Sequence, residues 1–561
     1  MGYISTENVQ VNENVGRDMS SNALDQGNFD FVIVGSGAAG AILASRLTEN
    51  PNVTVCVLES GPSDKDLMLR IPAGFIKKIF DPKVSWPFVT EPTEHTGGRG
   101  IPVPQGRTLG GSTSINGMVY NRGQAKDFDD WAVAGNPGWS FAEVLPYFKK
   151  SEHKFGEGSD DHHGRSGPLK VTDMDWIHPI NEAFIKGAQE LGMPRNPDYN
   201  SGQQAGVGYF QRNIHRGVRM STSTTFLHPA MKRPNLTVRT LCQATKVLFE
   251  GRRAVGVQYV KGGRGGPVHR VKANREVILS CGALNTPKLL QLSGVGPADV
   301  LARIGVPVLH EVPGVGNHLK DHFSIRMVAK VKGATTINEL ARAPRLWGQI
   351  FKWAIKQPSI LALSPSLVYF FWQTRNGLTR PDIQGVFTPA SYRAGYVGML
   401  DRYPGMTCGV WQHRPESMGY AHARSSDPFD APIIQPNYLD HENDRRTILD
   451  GARLARRLLR TGPLGPYFDG ESMPGNEVQT DDEMMDYIRR YAVSSYHLNG
   501  TARMGPANDP NSVVDAQLRV HGLEGLRVVD ASIMPNITSA NTSATTMMIG
   551  EKAADMIRQG Q

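Results

Sequence analysis

Short apolar runs separated by glycine-rich turns are the first regular pattern along the chain. Phe31–Val34 is such a run; the small residues Gly35–Gly40 follow it, and a helical stretch then extends to about Asn50. A second apolar run covers Val53–Leu58 and ends at an acid, Glu59. Short apolar runs bounded by turn residues are typical of buried strands. The pattern therefore predicts a βαβ unit with two parallel strands.

The same analysis predicts further elements but no internal repeat. The predicted strands are a hairpin of 247–249 and 255–260 around the turn 250–252, and two buried strands at 277–279 and 526–529. One predicted helix has Thr286 as its N-cap and Pro287 at its first position, and it ends at Gly294. A second helix is opened by the capping box Thr480-Asp481-Asp482-Glu483, and a final helix covers 543–558.

The turn after the first apolar run carries a dinucleotide-binding pattern. Gly35, Gly37 and Gly40 have the spacing GxGxxG, with Ser36 between the first two. The first glycine allows a tight bend, the second lets a pyrophosphate approach the backbone, and the third allows close packing of helix and strand. Glu59 is placed to accept hydrogen bonds from an adenosine ribose and disfavours NADP, which carries a 2′-phosphate. The pattern leaves NAD and FAD open.

A second glycine-rich stretch, residues 106–120, has no apolar period. Its small residues suit backbone N–H groups aimed at a flat polar ring, and the alternative is a flexible surface loop. The stretch resembles the first signature of the glucose-methanol-choline (GMC) oxidoreductases, which are FAD enzymes that oxidise alcohols. Residues 282–296 resemble the second signature of that family, and the resemblance extends from about Asp30 to Arg558.

The resemblance implies an FAD cofactor and its contacts. Asn116 and its neighbours line the isoalloxazine ring in the family, where some members carry a histidine that links FAD covalently; Asn116 therefore implies non-covalent FAD. The main chain at Val247 is implied to contact the adenine. The fingerprint and the resemblance together assign cofactor binding to Gly35, Ser36, Gly37, Gly40, Glu59, Trp86, Gly111, Ser112, Asn116, Gly117, Met118, Val119, Val247, Tyr496, Asp530, Ala531 and Thr542.

The candidate catalytic residues are His497 and Asn541. Alcohol oxidation by hydride transfer needs a base for the hydroxyl proton, and histidine suits that task because its pKa lies near neutrality. The segment 496–505 resembles the catalytic histidine motif of the family, with Leu498-Asn499 where Pro-Val is usual. In the family the position of Asn541 holds the substrate oxygen; the alternative role for Asn541 is the N-cap of the final helix.

The resemblance implies one composite α/β protein. We expect a Rossmann-like FAD-binding domain built from 30–165, 226–318 and 490–561, and an inserted α+β substrate-binding domain built from 166–225 and 319–489, an antiparallel sheet flanked by helices. Residues 1–29 are predicted to form a mobile polar tail.

Composition narrows the partners. The 61 Lys and Arg residues against 53 Asp and Glu give a net charge of +8, dispersed along the chain, which disfavours nucleic acid as a partner. The four cysteines form no CxxC pattern. We find no signal peptide and no long apolar run, so we expect a cytoplasmic protein.

Two histidine clusters and one amphipathic segment offer further candidates. His318 and His322 have i,i+4 spacing, but no third metal ligand is evident and the segment resembles a family loop beside the nucleotide. Asp160–His163 is predicted as a solvated lid edge, so no metal is expected. The apolar residues Leu346, Trp347, Ile350, Phe351, Ala354 and Ile355 fall on one helical face beside the cations Arg342, Arg345, Lys352 and Lys356. This face predicts peripheral contact with an anionic inner membrane surface or, equally, a lid over the pocket.

The resemblance implies oxidation of a primary alcohol, aliphatic or aromatic, to an aldehyde by hydride transfer to flavin N5, with His497 as base and a quinone or O2 as electron acceptor. The alternatives are a choline dehydrogenase or oxidase-like activity and a non-redox hydroxynitrile lyase. Fatty-acid photodecarboxylases share the scaffold but lack the catalytic histidine, and a non-enzymatic flavin-binding protein is disfavoured by the complete site.

Overall fold

Two seven-stranded sheets organise the chain, whose computed structural model describes residues 24–393 and 399–560. The helices are α1 (Gly40–Leu47), α2 (Leu67–Arg70), α3 (Phe75–Lys78), α4 (Ala125–Val133), α5 (Phe141–Ser151), α6 (Pro179–Glu190), α7 (His228–Ala230), α8 (Asn285–Leu292), α9 (Ala298–Arg303), α10 (Ile337–Leu340), α11 (Arg345–Ala354), α12 (Glu442–Leu459), α13 (Asp481–Tyr491) and α14 (Thr542–Gln559).

The strands are β1 (Leu24–Val34), β2 (Val55–Leu58), β3 (Ser85–Trp86), β4 (Gln105–Gly106), β5 (Glu152–Lys154), β6 (Leu169–Val171), β7 (Gly206–Tyr209), β8 (Ile214–His215), β9 (Val218–Arg219), β10 (Leu236–Arg239), β11 (Cys242–Glu250), β12 (Arg253–Lys261), β13 (Val268–Leu279), β14 (Val295–Gly296), β15 (His310–Glu311), β16 (Asn317–Leu319), β17 (Phe323–Val331), β18 (Val368–Trp372), β19 (Ile383–Thr388), β20 (Gly405–Gln412), β21 (Gly419–His422), β22 (Ile433–Gln435), β23 (Phe468–Met473), β24 (Val493–Ser494) and β25 (Leu526–Val528).

The first sheet is a mixed sheet with the predicted βαβ unit at its centre. Its order is β10-β2-β1-β13-β12-β11, and β25 pairs with the end of β13 on the edge opposite β1. The strands β10, β2, β1, β13 and β25 run parallel to one another, whereas β12 runs antiparallel to β13 and forms the predicted hairpin with β11. Phe31–Val34 is wholly buried, as expected of a central parallel strand with both faces covered. The carboxyl ends of β1, β2, β13 and β25 therefore meet at one edge.

The first strand starts earlier than the predicted polar tail allows. Residues 24–29 belong to β1 and pair with the first half of β13, with Leu24 opposite His269. Arg239 fixes this extension, because it donates a hydrogen bond of 2.7 Å to the Gln26 carbonyl and stacks over the Phe29 ring. The prediction of a mobile tail is therefore wrong for residues 24–29, and its remainder, 1–23, lies outside the described residues.

The second sheet is antiparallel, with the order β23-β17-β20-β19-β18-β7 and β24 paired to β17. One face packs against α6, α12 and α13 through an apolar core that includes Ile325, Met327, Cys408 and Val410. Side chains alternate between the faces of a strand. The residues that alternate with these therefore point to the opposite face, which forms the floor of a large cavity; they include Ser324, Arg326, Thr407 and Gly409.

The strands divide between the sheets much as the expected domains divide the chain. Every strand of the first sheet except residues 24–29 falls in the segments assigned to FAD binding, and every strand of the second sheet except β24 falls in the other segments. β24 lies inside 490–561 but pairs with β17. The domain bounds themselves stay a prediction.

One predicted helix start is wrong in detail. α8 begins at Asn285 with Leu284 at its N-cap position, so Thr286 lies inside the first turn. The Thr286 hydroxyl donates to Asp530 Oδ2 at 2.6 Å and accepts from the Cys281 N–H, and it is therefore committed to joining β13 to β25. The capping box at Thr480 opens α13 as predicted. Across the described ranges, no helix is both long enough and apolar enough to cross a bilayer.

Candidate active site

One elongated cavity lies between the two sheets. Its glycine end is lined by Gly35, Gly37 and Glu59 at the carboxyl edge of the first sheet. Its histidine end is lined by His497 and by the cavity face of the second sheet. The segments 104–106 and 111–119 run along the side between them.

The glycine end is shaped for a ligand that approaches the backbone. Gly35 has φ +97°, and a Cβ there would lie 2.3 Å from the Ser280 carbonyl oxygen. A Cβ on Gly40 would lie 2.1 Å from the Gly35 carbonyl oxygen, so this glycine serves the packing of α1 on β1. Around a Cβ on Gly37, by contrast, the nearest atom is the Cα of Gly111 at 4.0 Å. The second glycine therefore faces open cavity at the start of α1, where a phosphate binds most readily.

Glu59 ends β2 at this same edge. Its Oε2 accepts from the Ser36 N–H at 3.0 Å and from the Ser36 hydroxyl at 2.7 Å, and its Oε1 accepts from the Gly61 N–H at 2.8 Å. Burial raises the pKa of this carboxyl, and the bonds from Ser36 and Gly61 oppose that shift. Ser36 therefore acts by orienting Glu59 and does not itself line the cavity.

Val247 does not lie where its predicted adenine contact requires. It is fully buried in the core of the first sheet, and its N–H donates a hydrogen bond of 2.9 Å to the Ser293 hydroxyl oxygen. Gln243 and Ala244, three to four residues earlier on β11, line the cavity instead. The cavity lining therefore does not support the predicted contact of Val247 and includes Gln243 and Ala244 of the same strand.

A buried arginine fixes the segment 113–118. Arg219 NH1 donates to the Asn116 carbonyl at 2.8 Å, to Asn116 Oδ1 at 2.8 Å and to the Thr113 carbonyl at 3.2 Å. Asn116 Oδ1 also accepts from the Met118 N–H at 3.0 Å, so its amide nitrogen is turned toward Ser543. Burial lowers the pKa of Arg219 to about 9. Sequence reasoning missed Arg219, whose isolated position on a two-residue strand gives no signal.

His497 lies at the centre of a chain of hydrogen bonds. His497 Nδ1 is 2.9 Å from His322 Nδ1, and His322 Nε2 is 2.8 Å from the His413 carbonyl oxygen. On the other side, His497 Nε2 is 3.0 Å from Asn541 Nδ2. Gln384 Nε2 donates to Asn541 Oδ1 at 3.2 Å, which fixes the orientation of that amide.

These contacts determine which nitrogen of His497 carries the proton. A carbonyl only accepts, so His322 Nε2 carries a hydrogen and its Nδ1 is an acceptor. His497 must then donate from Nδ1, and its Nε2 holds a lone pair that accepts from Asn541. Burial lowers the pKa of His322 to about 4 and holds that of His497 well below its usual range, so both rings are neutral near pH 7. The unprotonated Nε2 faces the cavity.

Asp321 positions the same segment from behind. Its Oδ1 accepts the N–H groups of His497 at 2.7 Å and of His322 at 2.9 Å, while its Oδ2 accepts from the hydroxyls of Tyr438 and Ser494. Burial raises the pKa of Asp321 to about 6. The main chain of both histidines is therefore tied to one buried carboxyl.

Asn541 occupies the N-cap position of α14, but its side chain caps nothing. It turns instead to His497, so the N-cap alternative holds for its position and not for its hydrogen bond. Of the other predicted residues, those that line the cavity are Gly35, Gly37, Glu59, Trp86, Gly111, Ser112, Asn116, Gly117, Met118, Val119, Tyr496, Asp530, Ala531 and Thr542; Ser36, Gly40 and Val247 do not.

Both histidine clusters differ from their predicted settings. His322 lies within hydrogen-bonding distance of His497, and His318 belongs to a strand, β16, where a loop was expected. His163 is no lid edge: it is buried between Glu152 at 3.1 Å and Asp198 at 2.9 Å, although Asp160 is exposed. Within the described ranges no group of three ligating side chains is arranged to hold a metal ion.

Comparison with known proteins identifies the same family as the sequence motifs do. Two models of the GMC oxidoreductase family match residues 29–324 and 415–550. The mitochondrial choline dehydrogenase of Mus musculus is 40% identical over 94% of this chain and 89% of its own length. An oxygen-dependent choline dehydrogenase of Staphylococcus aureus is 39% identical over 95% of this chain and 93% of its own. A structure of Aspergillus oryzae formate oxidase, reported in a study of FAD modification, has a TM-score of 0.88 at 27% identity and covers 96% of this chain and 99% of its own.

Proposed function

Because this chain belongs to the GMC oxidoreductase family and is an FAD-dependent enzyme acting on CH–OH groups, we propose that it oxidises primary alcohols to aldehydes with His497 as the base. The observation that carries the proposal is the direction of the hydrogen bonds through His322, His497 and Asn541. They leave one unprotonated imidazole nitrogen facing the cavity beside an amide donor.

The cavity fits FAD along its length. The glycine end offers backbone at Gly37 for the pyrophosphate and Glu59 for the ribose, and Gln243 and Ala244 are placed for the adenine. The segment 116–119, held by Arg219, and the start of α14 would flank the isoalloxazine. When bound, FAD supplies the two-electron acceptor for the C–H hydride of the alcohol.

His497 and Asn541 divide the work on the substrate hydroxyl. The hydroxyl proton passes to His497 Nε2, which is the acceptor in the resting arrangement. The amide N–H of Asn541 then donates to the oxygen as negative charge develops on it, while Gln384 keeps that amide oriented. His322 still accepts from Nδ1 of the protonated ring, so His497 is stabilised in place.

Anaerobic mixing of the holoenzyme with a panel of alcohols tests this function. The flavin absorbance should bleach with primary alcohols and yield the aldehyde in equal amount. Hydroxynitrile lyase activity on the same fold would give hydrogen cyanide release from a cyanohydrin without bleaching, and a binding protein would do neither. Either of those results removes the proposal.

A choline dehydrogenase-like activity is the second candidate, because two relatives near 40% identity carry that name. Choline is a cation, and a buried cation needs a carboxylate or an aromatic cage. The carboxylates that line the cavity are Glu59 and Asp530, both at the carboxyl edge of the first sheet. Choline in the alcohol panel separates the two candidates.

Asn116 supports non-covalent FAD, because an amide cannot form the link that a histidine forms. The electron acceptor that we propose is a quinone, with O2 as the alternative. Reoxidation of the reduced enzyme by O2 alone, at the rate of turnover, would decide for O2.

We place the membrane contact on α11. Three apolar residues one helical turn apart form an exposed stripe: Trp347 is 69% exposed, Phe351 64% and Ile355 52%. Arg345 pairs with Glu339, whereas neither Lys352 nor Lys356 forms an ion pair with any described residue. An exposed apolar stripe flanked by unpaired cations is suited to the surface of an anionic bilayer. The chain continues from this helix to Pro365 and Ser366, which line the cavity, so a quinone in the bilayer would have a short path to the site.

A further inference from the structure

A lone guanidinium lines the histidine end of the cavity. Arg326 lies on β17, two residues after Ser324, and both point to the cavity face of the second sheet. Opposite Arg326, β20 carries Gly409, where a Cβ would come within 3.6 Å of Arg326 Cγ. Because Gly409 has no side chain, it leaves room for the aliphatic part of Arg326 to lie across the face of the sheet.

The Arg326 guanidinium has no anionic partner among the described residues. Its nearest ring is Tyr392, with the guanidinium carbon 5.9 Å from the ring centroid. The five residues of the chain that the structure leaves undescribed between 393 and 399 contain no acid. The charge of Arg326 also lies close enough to act on the phenol groups of Tyr487 and Tyr496, but no described residue accepts a hydrogen bond from it. A partly buried guanidinium in this setting still has its hydrogen-bond donors to satisfy.

The carboxylates and the lysine that line the cavity are engaged elsewhere. Glu59 accepts from Ser36 and Gly61, and Asp530 accepts from Gly282, Thr286 and Ser532, all at the glycine end or beside it. Lys288 donates to two backbone carbonyls. At the histidine end, His497 is neutral, so Arg326 carries the formal charge there.

A second donor stands beside the guanidinium. The Ser324 hydroxyl makes no hydrogen bond to any described residue, although only 5% of this serine is exposed. The nearby hydroxyls of Thr388, Thr407 and Ser494 are all committed, to the carbonyls of Pro365 and Ala390 and to Asp321 respectively. Arg326 and Ser324 are therefore free hydrogen-bond donors on the floor of this end, as is the indole Nε1 of Trp411 opposite Ser324, and Arg326 is the charged one of the three.

We propose that the substrate of this enzyme is an alcohol that carries a carboxylate or similar anionic group, held by Arg326 and Ser324 while its hydroxyl meets His497. The inference rests on the proposed alcohol oxidation and specifies its substrate class. Arginine and carboxylate form the strongest neutralising pair that a site of this kind offers, and the pair is worth most where water is excluded. The same guanidinium repels a trimethylammonium group, so choline is disfavoured despite the names of the relatives.

The test compares ω-hydroxy acids of three to eight carbons with 1-alkanols of equal length and with choline, by anaerobic stopped-flow reduction of the flavin. We expect the apparent dissociation constant to be lowest for a hydroxy acid. In Arg326→Gln that constant should rise roughly ten- to hundredfold for the hydroxy acid, the loss of one charge-assisted pair, and stay within about twofold for the alkanol. Arg326→Lys should recover part of the affinity.

Two controls separate the substrate role from other roles of the arginine. Arg393→Gln removes an exposed positive charge from the same region without touching the main cavity, and it should leave the preference unchanged. The FAD content and visible spectrum of Arg326→Gln should match the parent. Loss of FAD from this variant, or an equal loss of affinity for the hydroxy acid and the alkanol, would show that the guanidinium acts in cofactor binding or in folding, and would overturn the inference. The inference would also be overturned if choline were the best substrate.

A non-oxidisable acid keeps the inference separable from the proposed function. Hexanoate, titrated into oxidised holoenzyme, should perturb the flavin spectrum in the parent and Arg393→Gln but not in Arg326→Gln. If no alcohol bleaches the flavin while hexanoate still binds through Arg326, the oxidation fails and the anion site stands. If alcohols bleach the flavin and hexanoate binds equally well to the parent and to Arg326→Gln, the oxidation stands and the anion site fails.

Discussion

His497 is held at its main-chain N–H and at both ring nitrogens, by Asp321, His322 and Asn541. His497→Ala removes the proton acceptor, so we expect flavin reduction by alcohol to slow by roughly 10²- to 10⁴-fold. FAD should stay bound, because the glycine end is untouched. Asn541→Ala should cost less, since it removes one donor to the reacting oxygen. Stopped-flow reduction measures both, and near-parent reduction in His497→Ala would refute the assignment of the base.

Asn541→Asp is the sharper change at this site. An ionised carboxylate opposite Nε2 stabilises the charged imidazole and repels the developing alkoxide. The pKa of His497 should therefore rise, and the slowing should be greatest at the pH values where the new carboxylate is ionised. A rate profile with the same shape as that of Asn541→Ala at every pH would contradict this explanation.

The pH dependence of reduction follows from the neutral ring. Burial lowers the pKa of His497 below its usual 6.5. The base is present above that pKa and is lost as pH falls through it, so the rate should be flat near neutrality with an acid limb below pH 6.5. His322 contributes to the lowering, so His322→Phe should move the acid limb to higher pH and slow the reaction about tenfold or more, because Nδ1 loses its acceptor.

His322→Asn supplies an amide oxygen in place of the lost nitrogen and should restore most of the rate. His318→Asn, four residues earlier, is the matched control, since His318 makes no hydrogen bond to His497 among the described residues. Identical profiles for the parent and His322→Phe would mean that His322 only fills space.

Sequence pointed to His497 and Asn541, which the structure brings into contact, and missed what holds them. His497 is embedded in a contiguous motif, and Asn541 precedes the final helix, so local pattern sufficed for both. His322 is 175 positions from His497, and Arg219 is 103 positions from Asn116. Their roles depend on hydrogen bonds across the fold, and no local pattern carries that information. The i,i+4 spacing of His318 and His322 gave no indication that His322 contacts His497.

α11 is the element whose exposed stripe gives the most direct prediction. Charge reversal of Lys352 and Lys356 together should lower binding to phosphatidylglycerol vesicles about tenfold or more, because each basic residue contributes roughly 1 kcal/mol near an anionic surface. Trp347→Ser should weaken binding to the same vesicles by loss of apolar burial. Co-sedimentation measures both, with phosphatidylcholine vesicles as the neutral comparison.

Reversal of Lys246 and Lys272 together, by Lys246→Glu with Lys272→Glu, serves as the control of equal net charge, because both are exposed lysines of the first sheet. It should leave vesicle binding near the parent value. Equal loss in the control and in the double reversal would attribute the effect to overall charge and leave α11 as a lid over the pocket.

Elements were predictable where one local rule sufficed, and less so where pairing set their length. The β1–α1–β2 unit, the hairpin of β11 and β12 and the cap of α13 all follow from neighbouring residues. The first half of β1 does not, since it is polar and is ordered by pairing with β13. Thr286 failed as an N-cap for a similar reason: its hydroxyl is taken by Asp530, 244 positions away.

At the scale of the molecule, the cofactor site joins two sheets. FAD bound along the cavity would contact residues of both, so its binding should stabilise the whole chain by about 2.7 kcal/mol at a hundredfold excess over the dissociation constant. We expect acid precipitation to release all the flavin to the supernatant, because Asn116 offers no covalent link. Flavin that stays with the precipitated protein would contradict this.

Add-back of FAD to flavin-depleted protein should restore the yellow colour and raise the temperature of unfolding. Riboflavin is the matched ligand, since it lacks the pyrophosphate that the glycine end would hold. Equal stabilisation by riboflavin and FAD would mean that the glycine end contributes nothing to binding.

The floor of the cavity and the proton acceptor come from different parts of the chain. Arg326, Val386, Thr388 and Thr407 stand on three adjacent strands, whereas His497 and Asn541 sit on the segments that enter and leave the first sheet. Mutations can therefore alter substrate choice on the floor while the reacting pair stays unchanged. In evolutionary terms, enzymes descended from one such gene can acquire different substrate specificities and keep the same reaction mechanism. Overall sequence identity to a choline dehydrogenase is then a poor guide to the substrate of any one of them.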